Sequence, residues 1–243
     1  MTSIKKNVLA ICALVLLGCA AMTLVDGVLR PPYAVKSAVK LALFLLAPLL
    51  YGYAAGKDGY RALFRIQRRA LLRVLALGFG VFALILGAYF ALRSVFDFSA
   101  VTALLGKNAG VTAENFLWVS LYISFVNSLL EEFFFRGFAF LVLRRYAGER
   151  FACVFSALSF ALYHTAMMLG WFPPLLFLLA LAGLTAGGVL FNLLDARAGT
   201  IFPSWAVHIF ANLAINTVGF ILFKILCSAT RFLRNSDRII EKK

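Results

Sequence analysis

Long apolar runs separated by short polar segments make up nearly the whole sequence. Their lengths approach the roughly 20 residues that a helix needs to cross the hydrocarbon core of a bilayer. The pattern predicts about seven or eight membrane-spanning helices and no soluble domain outside them. The apolar runs lie at 8–25, 38–55, 74–92, from 116 onward, and at 151–169, 174–194 and 203–226.

Composition agrees with an all-α, polytopic protein of the cell membrane. Hydrophobic residues make up 63% of the 243 positions and charged residues 14%, whereas soluble domains carry about half apolar and a quarter charged residues.

The run before Cys19 resembles a lipoprotein cleavage site, but the apolar stretch continues past it, so we expect an uncleaved first span. We interpret all four cysteines as small buried hydrophobic residues, because no C-x-x-C pair is present. They are Cys12, Cys19, Cys153 and Cys227.

The basic residues behind the net charge of +14 lie mostly in loops and tails. There they orient the helices and contact anionic lipid head groups, so we expect the bilayer, and not nucleic acid, as a partner. The positive-inside rule places the amino terminus and the segments 57–73 and 144–150 in the cytoplasm. Segment 57–73 is predicted to form one amphipathic helix on the membrane surface. The arginines on its polar side are Arg61, Arg65, Arg68 and Arg69. Seven spans would leave the basic tail 227–243 outside. The alternatives are a re-entrant segment, an eighth crossing, or a basic tail that lies on the outer side against the rule.

Two adjacent carboxylates and a guanidinium interrupt the fourth apolar run, as Glu131, Glu132 and Arg136. An ionisable side chain inside a bilayer costs about 2.5–3.5 kcal/mol on insertion scales, so this cluster is a functional candidate. A solvated helix end is the alternative interpretation, but the apolar run resumes at once at 133–135 and 138–143. Helical spacing predicts an ion pair between Glu132 and Arg136 and leaves Glu131 free for a different role.

Both histidines of the chain lie in later apolar helices, as His164 and His208. Asn212 and Asn216 follow His208 on one helical stripe, and Asn127 precedes the glutamates by one turn. Such residues often only bridge neighbouring membrane helices, and we prefer that interpretation for Asn127 and Asn216. For the two histidines we prefer a shared polar cavity with Glu131.

These residue types suit hydrolysis. A carboxylate in an apolar cavity can act as a general base toward water, and an imidazole can orient that water or move its proton. A second imidazole and a carboxamide can stabilise an oxyanion. We expect no cofactor. A zinc site of two histidines and one glutamate is an alternative, although the H-E-x-x-H motif is absent.

Three short motifs stand in order on separate predicted helices: E-E-x-x-x-R at 131–136, F-x-x-x-H at 160–164 and H-x-x-x-N at 208–212. Together they resemble the family of CAAX proteases and bacteriocin-processing enzymes, which includes type II CAAX prenyl endopeptidases and bacterial Abi-type membrane proteins. The resemblance covers about 116–220 and leaves out the first three predicted spans.

The resemblance implies a glutamate-dependent intramembrane endopeptidase. Its catalytic bundle would occupy 116–226, after amino-terminal helices at 1–115 and before the tail 227–243. A peptide or protein substrate would reach the site from the membrane or the cytoplasmic face, and nothing in the sequence specifies that it is prenylated. The implied roles are water activation by Glu131, water binding by His164, oxyanion stabilisation by His208 and Asn212, and support by Glu132, Arg136 and Phe160.

Two other functions compete with the peptidase. A non-catalytic bacteriocin-immunity or scaffold protein could keep the same polar cavity and use it to bind a partner. A transporter could use Glu131, His164 and His208 as a proton relay. The first half of the chain holds no counterpart of the glutamate motif, and this lowers the transporter option because transporters often carry inverted repeats.

Overall fold

The computed structural model describes residues 3–54, 60–66, 71–168 and 170–224. Within these ranges every regular element is helical. The main helices in chain order are α1 (Ile4–Leu29), α2 (Tyr33–Ala54), α3 (Leu71–Leu92), α4 (Ser99–Ala109), α5 (116–142), α6 (Glu149–Met168), α7 (Pro174–Ala198) and α8 (Phe202–Leu222).

Six of these helices are long and apolar enough to cross a membrane, namely α1, α2, α3, α6, α7 and α8. The predicted all-α membrane fold is therefore confirmed, while the count of seven or eight crossings stays a prediction. Helix α2 begins five residues before the predicted span, directly after Pro32. Pro32 is the N-cap residue, and its carbonyl accepts the first hydrogen bonds of the helix, from the N–H groups of Val35 at 3.0 Å and Lys36 at 3.2 Å.

Helix α5 lies at the centre of the bundle and contacts α1, α2, α6, α7 and α8. All residues from 130 to 143 are buried. Its path contains two stretches of wide, i→i+5 turns, at Tyr122–Asn127 and Glu132–Val142. Wide turns of this kind are frequently found at functional sites, and the second stretch begins at Glu132.

Phenylalanines at 133–135 anchor α5 to its neighbours. The ring of Phe134 stacks on Phe44 of α2 with centroids 4.0 Å apart, and Phe135 meets Phe160 of α6 edge to face at 5.4 Å. Close helix pairs surround this centre. Gly188 of α7 lies so near Ala157 of α6 that an added Cβ would come within 3.0 Å of the Ala157 Cα. Small residues at such crossings let membrane helices approach and pack.

The prediction of one surface helix over 57–73 is wrong for the residues that the structure describes. Arg61–Phe64 forms a short 3-10 helix, Arg65 after it is extended, and residues 71–73 already belong to α3. Leu63 is 1% exposed, and its carbonyl accepts a hydrogen bond from the Ile201 N–H at 2.9 Å. Leu63 is therefore anchored against the start of α8, while Arg61, Phe64 and Ile66 around it remain exposed. Arg68, Arg69, Cys227 and the basic tail lie outside the described residues.

Candidate active site

The Glu131 carboxylate is the centre of the polar cluster inside the bundle. It lies on α5 and is 1% exposed. Its Oε1 atom accepts hydrogen bonds from Lys40 Nζ at 2.5 Å and from Asn127 Nδ2 at 3.0 Å. Asn127 precedes Glu131 by one turn of the same helix, whereas Lys40 comes from α2. Both groups therefore contact the same carboxylate oxygen.

The other oxygen of Glu131 faces both histidines of the chain. Oε2 lies 3.8 Å from Nε2 of His164 on α6 and 3.8 Å from Nε2 of His208 on α8. The three side chains that the sequence predicted to share a cavity do meet, although they come from three different helices. A gap of 3.8 Å is too long for a direct hydrogen bond.

The two imidazoles have different second partners. His164 Nδ1 lies 2.8 Å from the Phe160 carbonyl oxygen. A carbonyl only accepts, so Nδ1 carries the hydrogen and a neutral ring presents the Nε2 lone pair toward Glu131. His208 Nδ1 instead lies 2.7 Å from Oε1 of Glu132, a carboxylate. The Phe160 ring packs beside His164 with centroids 4.5 Å apart.

The predicted ion pair between Glu132 and Arg136 is present and fully buried. Glu132 Oε2 lies 3.3 Å from Arg136 Nε, and both side chains are 0% exposed. The two groups approach without hydrogen-bond geometry, and within the described part of the chain the guanidinium nitrogens have no hydrogen-bond partner. Aromatic rings cover the guanidinium instead, with its Cζ 4.0 Å from the Phe160 centroid and 5.0 Å from that of Phe191.

Asn212 and Asn216 join α8 to the first half of α5. Asn212 Nδ2 donates to the Ile123 carbonyl at 3.1 Å. Asn216 Nδ2 donates to the Ser120 carbonyl at 3.1 Å and to Ser124 Oγ at 3.0 Å. The bridging role predicted for Asn216 is confirmed. The oxyanion role implied for Asn212 stays a prediction, because its recorded bond is to the backbone of α5.

Sequence reasoning missed two buried charged residues near the site. Lys40 was inside the predicted second span, and a lysine in an apolar run was the available signal. Asp195 lies near the end of α7, and its carboxylate accepts from the Ser204 N–H at 3.1 Å and Oγ–H at 2.6 Å. These bonds fix the start of α8 one turn before His208.

A metal ion in this site would need several His, Cys, Asp or Glu ligands close together. In the ranges that the structure describes, no three His, Cys, Asp or Glu side chains are grouped so that they could hold one. Oε1 of Glu131 is moreover covered by the Lys40 ammonium.

Fold and site together define an all-α membrane protein with a buried glutamate–histidine centre inside its helical bundle. Residues 113–214 match the family model described as Type II CAAX prenyl endopeptidase Rce1-like. The resemblance seen in the three motifs is therefore confirmed, and the matched range contains all of them. A search of curated proteins and a search of solved structures gave no significant match. The family match implies a CAAX-type membrane protease activity.

Proposed function

We propose that the chain is an intramembrane endopeptidase in which Glu131 is the general base. The observation that supports this most directly is the position of Glu131 Oε2, 3.8 Å from the Nε2 atoms of both His164 and His208. A water molecule placed there would be within reach of one carboxylate and two imidazoles. Such a water could attack a peptide carbonyl without a serine or cysteine nucleophile.

The second partners of the histidines support different roles for them. His164 binds a neutral carbonyl through Nδ1, so its Nε2 accepts a hydrogen bond and can help to hold the attacking water. His208 binds the Glu132 carboxylate, and a carboxylate in this position stabilises an imidazolium. We assign His208 as the group that donates Nε2–H to the oxyanion.

The reaction then follows from these assignments. Glu131 takes a proton from water as the water oxygen bonds to the carbonyl carbon, and the carbonyl oxygen becomes negative. His208 stabilises that oxyanion, with the second amide hydrogen of Asn212 as a further donor. The C–N bond breaks, and the proton held by Glu131 passes to the leaving amine. Arg136 and Phe160 keep Glu132 and His164 in place.

The proposed substrate is a peptide or protein that reaches the site from the membrane or the cytoplasmic face, with the enzyme in the cell membrane. The matched family description names CAAX prenyl endopeptidases, so a farnesylated peptide ending in a CAAX sequence is the first probe. The same peptide without the farnesyl group shows whether the prenyl chain is required.

The test uses the full chain purified into lipid nanodiscs and mass spectrometry of the products. We expect the wild-type protein to release the carboxyl-terminal fragment, and Glu131→Gln and His208→Ala to release none while remaining folded. Glu149→Gln is the matched control, because Glu149 is a surface carboxylate with 62% of its side chain exposed. Full activity of Glu131→Gln would refute the mechanism. A phenotype in cells that survives Glu131→Gln would favour the non-catalytic immunity or scaffold function.

A further inference from the structure

Lys40, Asn127 and Glu131 form a closed triangle of hydrogen bonds. Lys40 Nζ donates to Glu131 Oε1 at 2.5 Å and to Asn127 Oδ1 at 2.6 Å, and Asn127 Nδ2 donates to the same Glu131 oxygen at 3.0 Å. One carboxylate oxygen is therefore held by two donors. The other oxygen is left to face the imidazoles of His164 and His208.

The surroundings of Lys40 make this ammonium dependent on Glu131. Lys40 is 5% exposed, and Nζ lies 5.3 Å from the Phe44 ring centroid and 5.0 Å from that of Tyr163. In the described part of the chain, its ion pair is with Glu131. A lysine inside a membrane bundle is costly and marks a functional position by default. Each glutamate of the motif thus has a cation of its own, Lys40 for Glu131 and Arg136 for Glu132.

We propose that Lys40 is a positioning residue for hydrolysis: it keeps Glu131 ionised and, with Asn127, turns Oε2 toward the two histidines. The inference rests on the proposed function, in which Glu131 is the base. A base must be unprotonated and within hydrogen-bond reach of the water that it activates. A displacement of about 1 Å can lower a rate about a hundredfold, so loss of the anchor should reduce kcat far more than it changes KM.

The chain offers a matched control one turn earlier on the same helix. Lys36 pairs with Asp26 of α1 at 3.2 Å, and their side chains are 11% and 9% exposed. Lys36→Met and Lys40→Met therefore each remove a buried cation of α2 from a carboxylate. The carboxylate is Asp26 in the first case and Glu131 in the second.

The experiment measures kcat and KM of the full chain in nanodiscs with an internally quenched, farnesylated CAAX peptide, alongside thermal unfolding. We expect Lys40→Met to lower kcat about a hundredfold with KM changed less than about threefold, and Lys36→Met to keep the wild-type kcat. Lys40→Arg, which keeps the charge, should recover part of the lost kcat. Asn127→Ala removes the neutral donor to the same oxygen and should lower kcat about tenfold without leaving a buried charge unpaired.

The possible results of this experiment distinguish the positioning role of Lys40 from the proposed peptidase activity. If wild-type protein cleaves, Glu131→Gln does not, and Lys40→Met keeps the wild-type kcat, the positioning role is overturned and the peptidase stands. Equal loss of kcat in Lys36→Met and Lys40→Met would also overturn it, since the effect would then be structural. If Lys40→Met does not fold, wild-type kcat in Asn127→Ala overturns it. If wild-type protein cleaves neither the farnesylated nor the plain peptide, the proposed function fails and the positioning role fails with it.

Discussion

Glu132→Gln is the substitution whose effect the structure defines most sharply. It preserves the shape of a fully buried side chain and removes its charge. The carboxylate has two partners, His208 Nδ1 at 2.7 Å and Arg136 Nε at 3.3 Å. The contact with His208 affects catalysis and the contact with Arg136 affects stability. The substitution should therefore change both kcat and the free energy of unfolding.

The stability effect follows from the guanidinium that is left behind. Removing one partner of a buried ion pair costs about 3–5 kcal/mol, because the remaining charge is uncompensated. Arg136 would still have the faces of Phe160 and Phe191 at 4.0 and 5.0 Å, and a desolvated cation–π contact is worth about 2 kcal/mol. We therefore expect a loss near the lower end, about 3 kcal/mol.

The catalytic effect follows from His208. The neutral amide of the variant no longer stabilises the imidazolium. When its carbonyl oxygen accepts the Nδ1 hydrogen in place of the carboxylate, a neutral His208 ring has a lone pair at Nε2 and cannot donate a hydrogen bond to the oxyanion. Loss of one oxyanion donor typically lowers the kcat of a hydrolase about 10²–10³-fold. We expect kcat of the folded Glu132→Gln protein to fall by about 10²–10³-fold, measured with the quenched peptide after correction for the folded fraction.

A double substitution separates the two effects. Glu132→Gln with Arg136→Met removes both charges, and buried ion pairs replaced by apolar groups are often neutral or better in stability. The double variant should unfold at a higher temperature than Glu132→Gln alone and remain as inactive. If Glu132→Gln unfolds like wild type, or if the second substitution destabilises further, the charge-pair reasoning is wrong.

Three further substitutions test the packing around the site. Ser204→Ala leaves Asp195 without the Oγ–H donor at 2.6 Å, and should lower the free energy of unfolding by about 1–3 kcal/mol in chemical denaturation. Phe134→Ala removes a ring stacked 4.0 Å from Phe44, and should cost about 3–5 kcal/mol, seen as a lower unfolding temperature. Gly188→Leu places a side chain where even a Cβ meets α6 at 3.0 Å, and should reduce the monodisperse fraction in size-exclusion chromatography.

Two substitutions at less crowded positions serve as controls for Phe134→Ala and Gly188→Leu. Leu72→Ala changes a side chain that is 82% exposed, so its unfolding temperature should match that of wild type. Gly187→Leu changes the neighbouring glycine, where a Cβ would have no atom within 4 Å. Wild-type-like chromatography of Gly188→Leu, or equal loss in Gly187→Leu, would show that the α6–α7 approach does not limit folding.

The sequence predicted the contacts that lie within one helix. Helical periodicity predicted the ion pair of Glu132 and Arg136, and this pair is present. It also placed Asn127 and Glu131 on one stripe of the helix, where the structure adds a hydrogen bond between them. The meeting of Glu131 with His164 and His208 depends on three helices, and the sequence indicated it through the order of motifs and not through distance.

What the sequence did not predict depends on tertiary contacts. The bond between Lys40 and Glu131 joins residues 91 positions apart, and no local pattern pairs them. The segment 57–73 has the periodicity of a surface helix, yet Leu63 is held by Ile201 and buried. Periodicity describes a segment by itself and does not include contacts with distant residues, such as the one between Leu63 and Ile201.

The central position of α5 has a consequence for how the protein is made. Its three charges would each oppose entry into the bilayer by about 2.5–3.5 kcal/mol at the translocon. In the described part of the chain, α5 is not among the six helices whose length and composition suit a membrane crossing. Lys40, on a helix synthesised earlier, offers Glu131 a counter-charge before the later helices exist. We expect α5 to contact α2 first during membrane insertion. The insertion of α5 and the formation of the Lys40–Glu131 pair would then occur together.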